Sequence, residues 1–369
     1  MTGLARTLAT LAFLALMFAG LAFVLARLTG PGAAPVVAAA TVRNVLNGGL
    51  GAAVDKQVVA SLPKTETLDD LASGLSYLVF KDAGAQVRAG CPDWLFLAEE
   101  LTEVKGGAAH LAARLRLAAR IADDFARRGV ALVVLPVPDK AELAPEGRCG
   151  LAVARQAAER SAAWRTGSAG LALAQVDIAA GWPKDAVLRT DTHWNVTGAR
   201  YAAARVAAAV AARLGPGDTR VTLEEGASQP RPGDLMRLAG LTRTYPWSGP
   251  QPDLVPQVTA RIARSGGLLD DVAGPAVLLA GSSYSLNSGF ADLLQAALGR
   301  EVAQKSREGS GFAGVLLDIL DATPQMLDGV KLVVWEFPMR ALTQPLTDAE
   351  RRRLGGEPTT TAAPPGDVR

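Results

Sequence analysis

Residues 7–26 (TLATLAFLALMFAGLAFVLA) form an unbroken apolar run of about 20 positions between Arg6 and Arg27, long enough to span a hydrocarbon core, whereas the core of a signal peptide is shorter. An Ala-x-Ala cleavage pattern at residues 38–40 lies well beyond that run, so an uncleaved anchor is expected over a removed signal. Either way the remainder of the chain is exported. The charged flanks are nearly symmetric and orient the run only weakly. No second run of this kind occurs, so a single span is expected. Residues 1–29 are therefore assigned to the anchor. Residues 30–80 form a Pro/Gly/Ala linker at 30–40 and then an amphipathic lead-in.

Beyond residue 80 the apolar spacing alternates between two periods. Residues 91–97 read as a short aromatic strand. Residues 108–128 place Leu111, Leu115, Ala118, Ile121 and Phe125 on one helical face, with Arg and Asp between them. The run 131–135 is continuously apolar, as in a strand buried on both faces, and Pro136 and Pro138 are expected to end it. A helix closing near Trp164, a strand over 171–178 and an Ala-rich helix over 196–214 follow, the last stopped by Gly215-Pro216. Strands at 276–280 and 330–337 bracket a helix at 290–298. Helices alternating with short apolar strands predict an α/β layered domain with a mostly parallel sheet over 81–345. Residues 219–265 are Pro-rich and read as an irregular insertion near the site. Residues 346–369 are polar, end in a Pro/Thr-rich stretch and are expected to be disordered.

Composition narrows the function without naming it. A formal charge of +2 with no basic stripe argues against nucleic acid as a partner. Only two cysteines occur, Cys91 and Cys149, without zinc-ligand spacing. In an oxidising compartment they are expected to pair, closing a loop of roughly 60 residues.

Two segments carry chemistry. In Arg189-Thr190-Asp191-Thr192-His193-Trp194-Asn195, one of only two histidines follows Asp191 by two positions. A carboxylate so close can fix the imidazole tautomer and stabilise the imidazolium of a general base. The bland alternative is a capped turn carrying an ordinary polar loop residue. The second segment, Gly281-Ser282-Ser283-Tyr284-Ser285, leaves a buried strand and sets hydroxyls at the carboxyl edge of the sheet, where α/β folds build their sites. It is not a GxSxG elbow. No set of metal ligands and no Gly-rich phosphate loop appears, so neither a metal nor a cofactor is expected.

The pieces Trp94-Leu95-Phe96-Leu97, Val137-Pro138-Asp139-Lys140, Arg189 to Asn195, Gly281 to Ser285 and Trp335-Glu336-Phe337-Pro338-Met339-Arg340 together resemble the AlgJ/AlgX family of alginate O-acetyltransferases. The resemblance covers roughly residues 85–345. It implies an SGNH-hydrolase-like fold, here preceded by the N-terminal transmembrane helix. It further implies Ser283 as nucleophile, His193 as base and Asp191 as its orienter. The Asp-x-His pair precedes the serine, as in that branch. The length fits the AlgJ-like type, without a C-terminal carbohydrate-binding module. The resemblance also implies acetyl transfer to an exported polysaccharide, a polytopic membrane acyltransferase of the MBOAT type as acetyl donor, and a periplasmic location anchored to the inner membrane. Lys140 and Arg340 follow buried strands and are candidate contacts to an anionic sugar. Tyr284 is a candidate wall of the site. Trp194 is a candidate sugar-stacking ring or a packing residue. Asn195 is a candidate oxyanion donor or a helix cap. Two other readings keep the same residues: a polysaccharide deacetylase or carbohydrate esterase with water as acceptor, and a non-catalytic scaffold of an export complex.

Overall fold

A computed structural model of the chain describes residues 3–29, 34–61, 66–171, 173–263 and 274–356. The chain divides into two units, Met1–Leu68 and Asp69–Arg369. The first holds helices Gly3–Thr29, Ala34–Ala39, Val42–Leu46 and Gly49–Ser61, so part of the expected linker is helical. The apolar run falls in helix Gly3–Thr29, several of whose side chains lie outside the described residues. Among the described residues no helix is long and apolar enough to cross a membrane.

The second unit is built on five parallel strands: β1 (Ala131–Val137), β2 (Ala174–Gln175), β3 (Val277–Gly281), β4 (Val302–Ser306) and β5 (Leu332–Pro338), in the order β4-β3-β5-β1-β2. β3 and β5 are buried along their whole length, as their continuous apolar sequences require. Alternate side chains feed two cores. Leu132, Val134, Leu278, Ala280, Val333 and Trp335 face helices α1 (Gly107–Arg127) and α4 (Gly314–Asp321). Val133, Leu135, Val277, Leu279 and Val334 face α2 (Val196–Leu214) and α3 (Phe290–Leu298). Each fully buried Val or Leu contributes about 1.5–3 kcal/mol, so the sheet is pinned from both sides.

Four expectations are corrected. β1 runs on through Pro136 to Val137. The amide of Val176 bonds the carbonyl of Val134, and position 136 points to the same side. β2 has already ended there, so the proline's missing N–H removes no ladder bond. The strand read over 171–178 shrinks to Ala174–Gln175 at the sheet edge. Residues 219–263 are ordered rather than irregular: Arg220–Glu225 pairs with Val258–Ala263, Gln229–Arg231 pairs with Asp253–Val255, and two short helices lie between. Finally, helix Asp348–Arg353 stands where disorder was expected. Thr347 and Glu350 form a capping box there, and Glu350 pairs with buried Arg114 at 2.8 Å. The rest of that tail, 357–369, lies outside the described residues.

The lead-in also ends differently. Helix Glu66–Phe80 contributes Tyr77 to a core with Val87, Leu95, Leu235, Met236 and Leu241, so from Asp69 onward it belongs to the second unit. The strand read over 91–97 is Leu95–Leu97, paired antiparallel with Val87–Ala89 outside the main sheet. Cys91 and Cys149 are joined in a disulfide.

Candidate active site

Ser283 stands just past the carboxyl end of β3, as the first residue of a single helical turn, Ser283–Leu286. His193 comes from the loop that leads into α2. The two segments, about 90 positions apart in sequence, meet at the carboxyl edge of the sheet. His193 Nε2 lies 2.8 Å from Ser283 Oγ, and Nδ1 lies 2.5 Å from Asp191 Oδ1. Burial pushes the Asp191 carboxyl up. The hydrogen bond and charge of His193, with the amides of Asp234 and His193, outweigh this and hold it well below the usual carboxylate range. An ionised Asp191 only accepts, so the imidazole proton sits on Nδ1 and Nε2 is left to accept the Ser283 hydroxyl. Asp191 and His193 are buried and Ser283 partly so, so the carboxylate–imidazole pair works in a low dielectric.

The insertion builds the histidine loop. Asp253 accepts from the amides of Arg189 and Thr190 at 3.0 and 2.8 Å, and from the Thr190 hydroxyl at 2.7 Å. Asp234 accepts from the amide and hydroxyl of Thr192, and its own amide donates to Asp191 Oδ2 at 3.0 Å. Gly233 makes that approach feasible, since a Cβ there would lie 2.1 Å from the Thr190 carbonyl oxygen. Asp191, His193 and Asp234 offer ligand atoms within 4.8 Å of one another, a spacing that would suit a metal ion. Here the same atoms are engaged with one another, with Thr192 and with backbone amides.

On the nucleophile side, Glu336 of β5 accepts four hydrogen bonds from the turn. They come from Ser282 N and Oγ, both at 2.7 Å, and from Ser285 N and Oγ at 3.2 and 2.7 Å. The amides of Ser282 and Ser285 are therefore spent on Glu336 rather than turned towards a substrate oxyanion.

Of the five further candidates, Trp194 and Asn195 take the packing and capping roles also expected of them, while Lys140, Arg340 and Tyr284 make contacts within the protein. Lys140 is almost fully buried and donates to the carbonyls of Leu95, Arg189 and Asp191 at 2.7, 2.7 and 2.9 Å. With all three protons used on backbone, no donor remains for a sugar. Burial pulls its ammonium down to about 8, against the charges of Glu100, Asp253, Asp191 and Asp234. Arg340 pairs with Glu100 at 3.2 Å and lies over the Tyr284 ring. Tyr284 is buried, donates to the Thr192 carbonyl at 2.7 Å and packs edge-on against His193, so it supports the imidazole from behind rather than forming a wall. Trp194 is fully buried between Tyr284 and Phe290, which leaves no ring face for a sugar. Asn195 caps α2 through Thr197 N and Gly198 N.

Residues 87–339 match the family described as SGNH hydrolase-like domain, acetyltransferase AlgX. The chain belongs to this family. It is 30% identical to the probable alginate O-acetylase AlgJ of Pseudomonas aeruginosa over 328 residues, 84% of this chain and 83% of that protein. It is also similar to the solved O-acetyltransferase domain of Pseudomonas putida AlgJ, with 28% identity and a TM-score of 0.64 over 71% of this chain and 93% of that one. The structure of Pseudomonas aeruginosa AlgX shares the fold, with a TM-score of 0.52 at 20% identity over 68% of this chain and 62% of that one.

Asp234, Asp253 and Glu336 were not legible as site residues. The first two each open an element of only three to five residues, too short to show a period, and only their three-dimensional neighbours give them a role. Glu336 did leave a signal: it is the one charged residue inside the strand Leu332–Pro338, where burial of a carboxylate needs a reason.

Proposed function

We propose that this protein is an O-acetyltransferase that moves acetyl groups onto hydroxyls of an exported polysaccharide through an acetyl-Ser283 intermediate. The chain of Ser283 Oγ, His193 Nε2, His193 Nδ1 and Asp191 Oδ1, at 2.8 and 2.5 Å, carries the proposal, and membership of an acetyltransferase family fixes the group transferred. In the first half-reaction His193 Nε2 takes the hydroxyl proton as Ser283 Oγ attacks the acetyl carbonyl, and then returns that proton to the departing donor oxygen. In the second, a sugar hydroxyl gives its proton to Nε2 and attacks the acetyl-serine, and Ser283 Oγ is reprotonated as it leaves. Asp191 stabilises the imidazolium in both steps and stays ionised.

The name alginate O-acetylase borne by its relatives supports alginate or a similar exopolysaccharide as acceptor. The apolar run at residues 7–26 supports an N-terminal membrane anchor with the catalytic unit on the periplasmic side. Outside the cytoplasm the acetyl donor would be a polytopic membrane acyltransferase of the MBOAT type rather than a soluble thioester.

The test uses p-nitrophenyl acetate as donor and an oligosaccharide of the polymer as acceptor, with mass spectrometry reading acetylated sugar. Wild type should form it, while Ser283→Ala and His193→Ala should lose transfer by at least about 1,000-fold. Release of acetate without acetylated sugar would point to an esterase. Unchanged transfer in Ser283→Ala would overturn the reading.

A further inference from the structure

We infer that Glu336 is the positioning residue of the nucleophile, acting through Ser282 and Ser285 to hold Ser283 Oγ against His193. The inference rests on the reading of Ser283 as nucleophile. Three observations support it. Glu336 is only 2% exposed, and among the described residues no Lys or Arg forms an ion pair with it. Burying an unpaired carboxylate costs several kcal/mol, so an apolar residue would serve β5 better if packing were its only task. Its four hydrogen bonds all go to the two serines that flank Ser283, so the whole acceptor capacity is concentrated on one turn. The approach is also built in: a Cβ on Gly281 would lie 2.0 Å from Ser285 Oγ and 2.8 Å from Glu336 Oε2, so only glycine admits the arrangement.

The reason for such a clamp lies in the motif. Ser283 does sit on a strand-to-helix turn, but it is not among the residues with positive φ, so the backbone strain by which a GxSxG elbow aims its serine is missing. The turn here is a single one, Ser283–Leu286, which by itself is a weak support. A buried carboxylate that ties position 282 to position 285 fixes both ends of the segment that carries the 2.8 Å contact to His193. A shift of about 1 Å at that contact is worth about 100-fold in rate.

The experiment measures kcat and KM for p-nitrophenyl acetate with the full-length protein, well below each variant's melting midpoint. Glu336→Ala should lower kcat about 100-fold with KM within about twofold. Glu336→Gln should recover to within about tenfold of wild type. Its carbonyl can take the three donors of Oε2, and its amide can donate to Ser282 Oγ. Combined Ser282→Ala and Ser285→Ala should also lower kcat, and adding Glu336→Ala to them should cost far less than it does in wild type, because the effects share one network. Wild-type kcat in Glu336→Ala, a loss in KM rather than kcat, a Gln variant as slow as the Ala variant, or full additivity would each overturn the inference. If Glu336→Ala does not fold, the Gln variant and the double serine variant decide by the same criteria. Absence of ester turnover in wild type would instead sink the reading of Ser283, which separates the two failures.

Discussion

Lys140 shows how far a side chain's chemistry depends on what it meets. A lysine after a buried strand resembles a cation poised for an anionic sugar, yet its ammonium holds the carbonyls of Leu95, Arg189 and Asp191 and lies over the rings of Trp94 and Phe96. Lys140→Met should leave the Leu95 and Asp191 carbonyls without this donor, while the Arg189 carbonyl keeps the Leu95 amide, costing about 2 kcal/mol in a urea melt and slowing ester turnover through the loosened Asp191 loop. Glu100 sets a different test. Burial first, then repulsion by Asp139, lifts its carboxyl from 4.5 to about 7 against the pull of Arg340 and Lys140. The folded state thus keeps a proton that the unfolded chain gives up, so the associated stability is complete below about pH 4.5 and is lost as pH rises through about 7. Glu100→Gln carries no charge at any pH. Its melting midpoint should rise relative to wild type at pH 8 and lose that advantage at pH 5, with a ceiling on the order of 3 kcal/mol. A difference that does not change with pH would sink this account.

At the scale of elements, the strands and helices flanking the sheet were legible because burial imposes a period. Helices Val196–Leu214 and Phe290–Leu298 begin and end where their apolar spacing, caps and glycines indicate. The segment 219–263 was not legible as strands: Gln229–Arg231 and Asp253–Val255 are only three residues long, and the alternation in Arg220–Glu225 and Val258–Ala263 covers six mostly exposed residues each, too little to stand out among the surrounding prolines. Its contribution is Asp234 and Asp253, which brace the histidine loop. The disulfide acts on the same loop at one remove. It closes 58 positions and anchors the segment in which Leu95 donates its amide to the Arg189 carbonyl and accepts from Lys140. Replacing both cysteines by serine should cost about 4 kcal/mol in a denaturant melt, from loop entropy restored to the unfolded chain. The same change should lower turnover of p-nitrophenyl acetate. Equal melts with and without a reducing agent would rule this out.

For the whole molecule, the division after Leu68 separates the catalytic unit from the apolar N-terminal helix. A chain beginning at Asp69 should fold and retain hydrolysis of p-nitrophenyl acetate within about threefold, while losing sedimentation with membranes that the full chain should show. Loss of hydrolysis on truncation would overturn this expectation. Sequence alone determined the α/β class and the main strands with their two-faced burial, because periodicity is a local property; the family resemblance implied Ser283, His193 and Asp191, and the fold brings the three within hydrogen-bond reach. Tertiary structure decided what each remaining polar residue serves. Lys140 and Tyr284 make internal contacts instead of facing a sugar, Trp194 and Asn195 take the packing and capping alternatives, and Asp234, Asp253 and Glu336 emerged as braces. The physical reason is that a buried polar group must find partners, and those partners lie tens to hundreds of positions away in the chain. No local pattern encodes which of them the fold will bring within 3 Å.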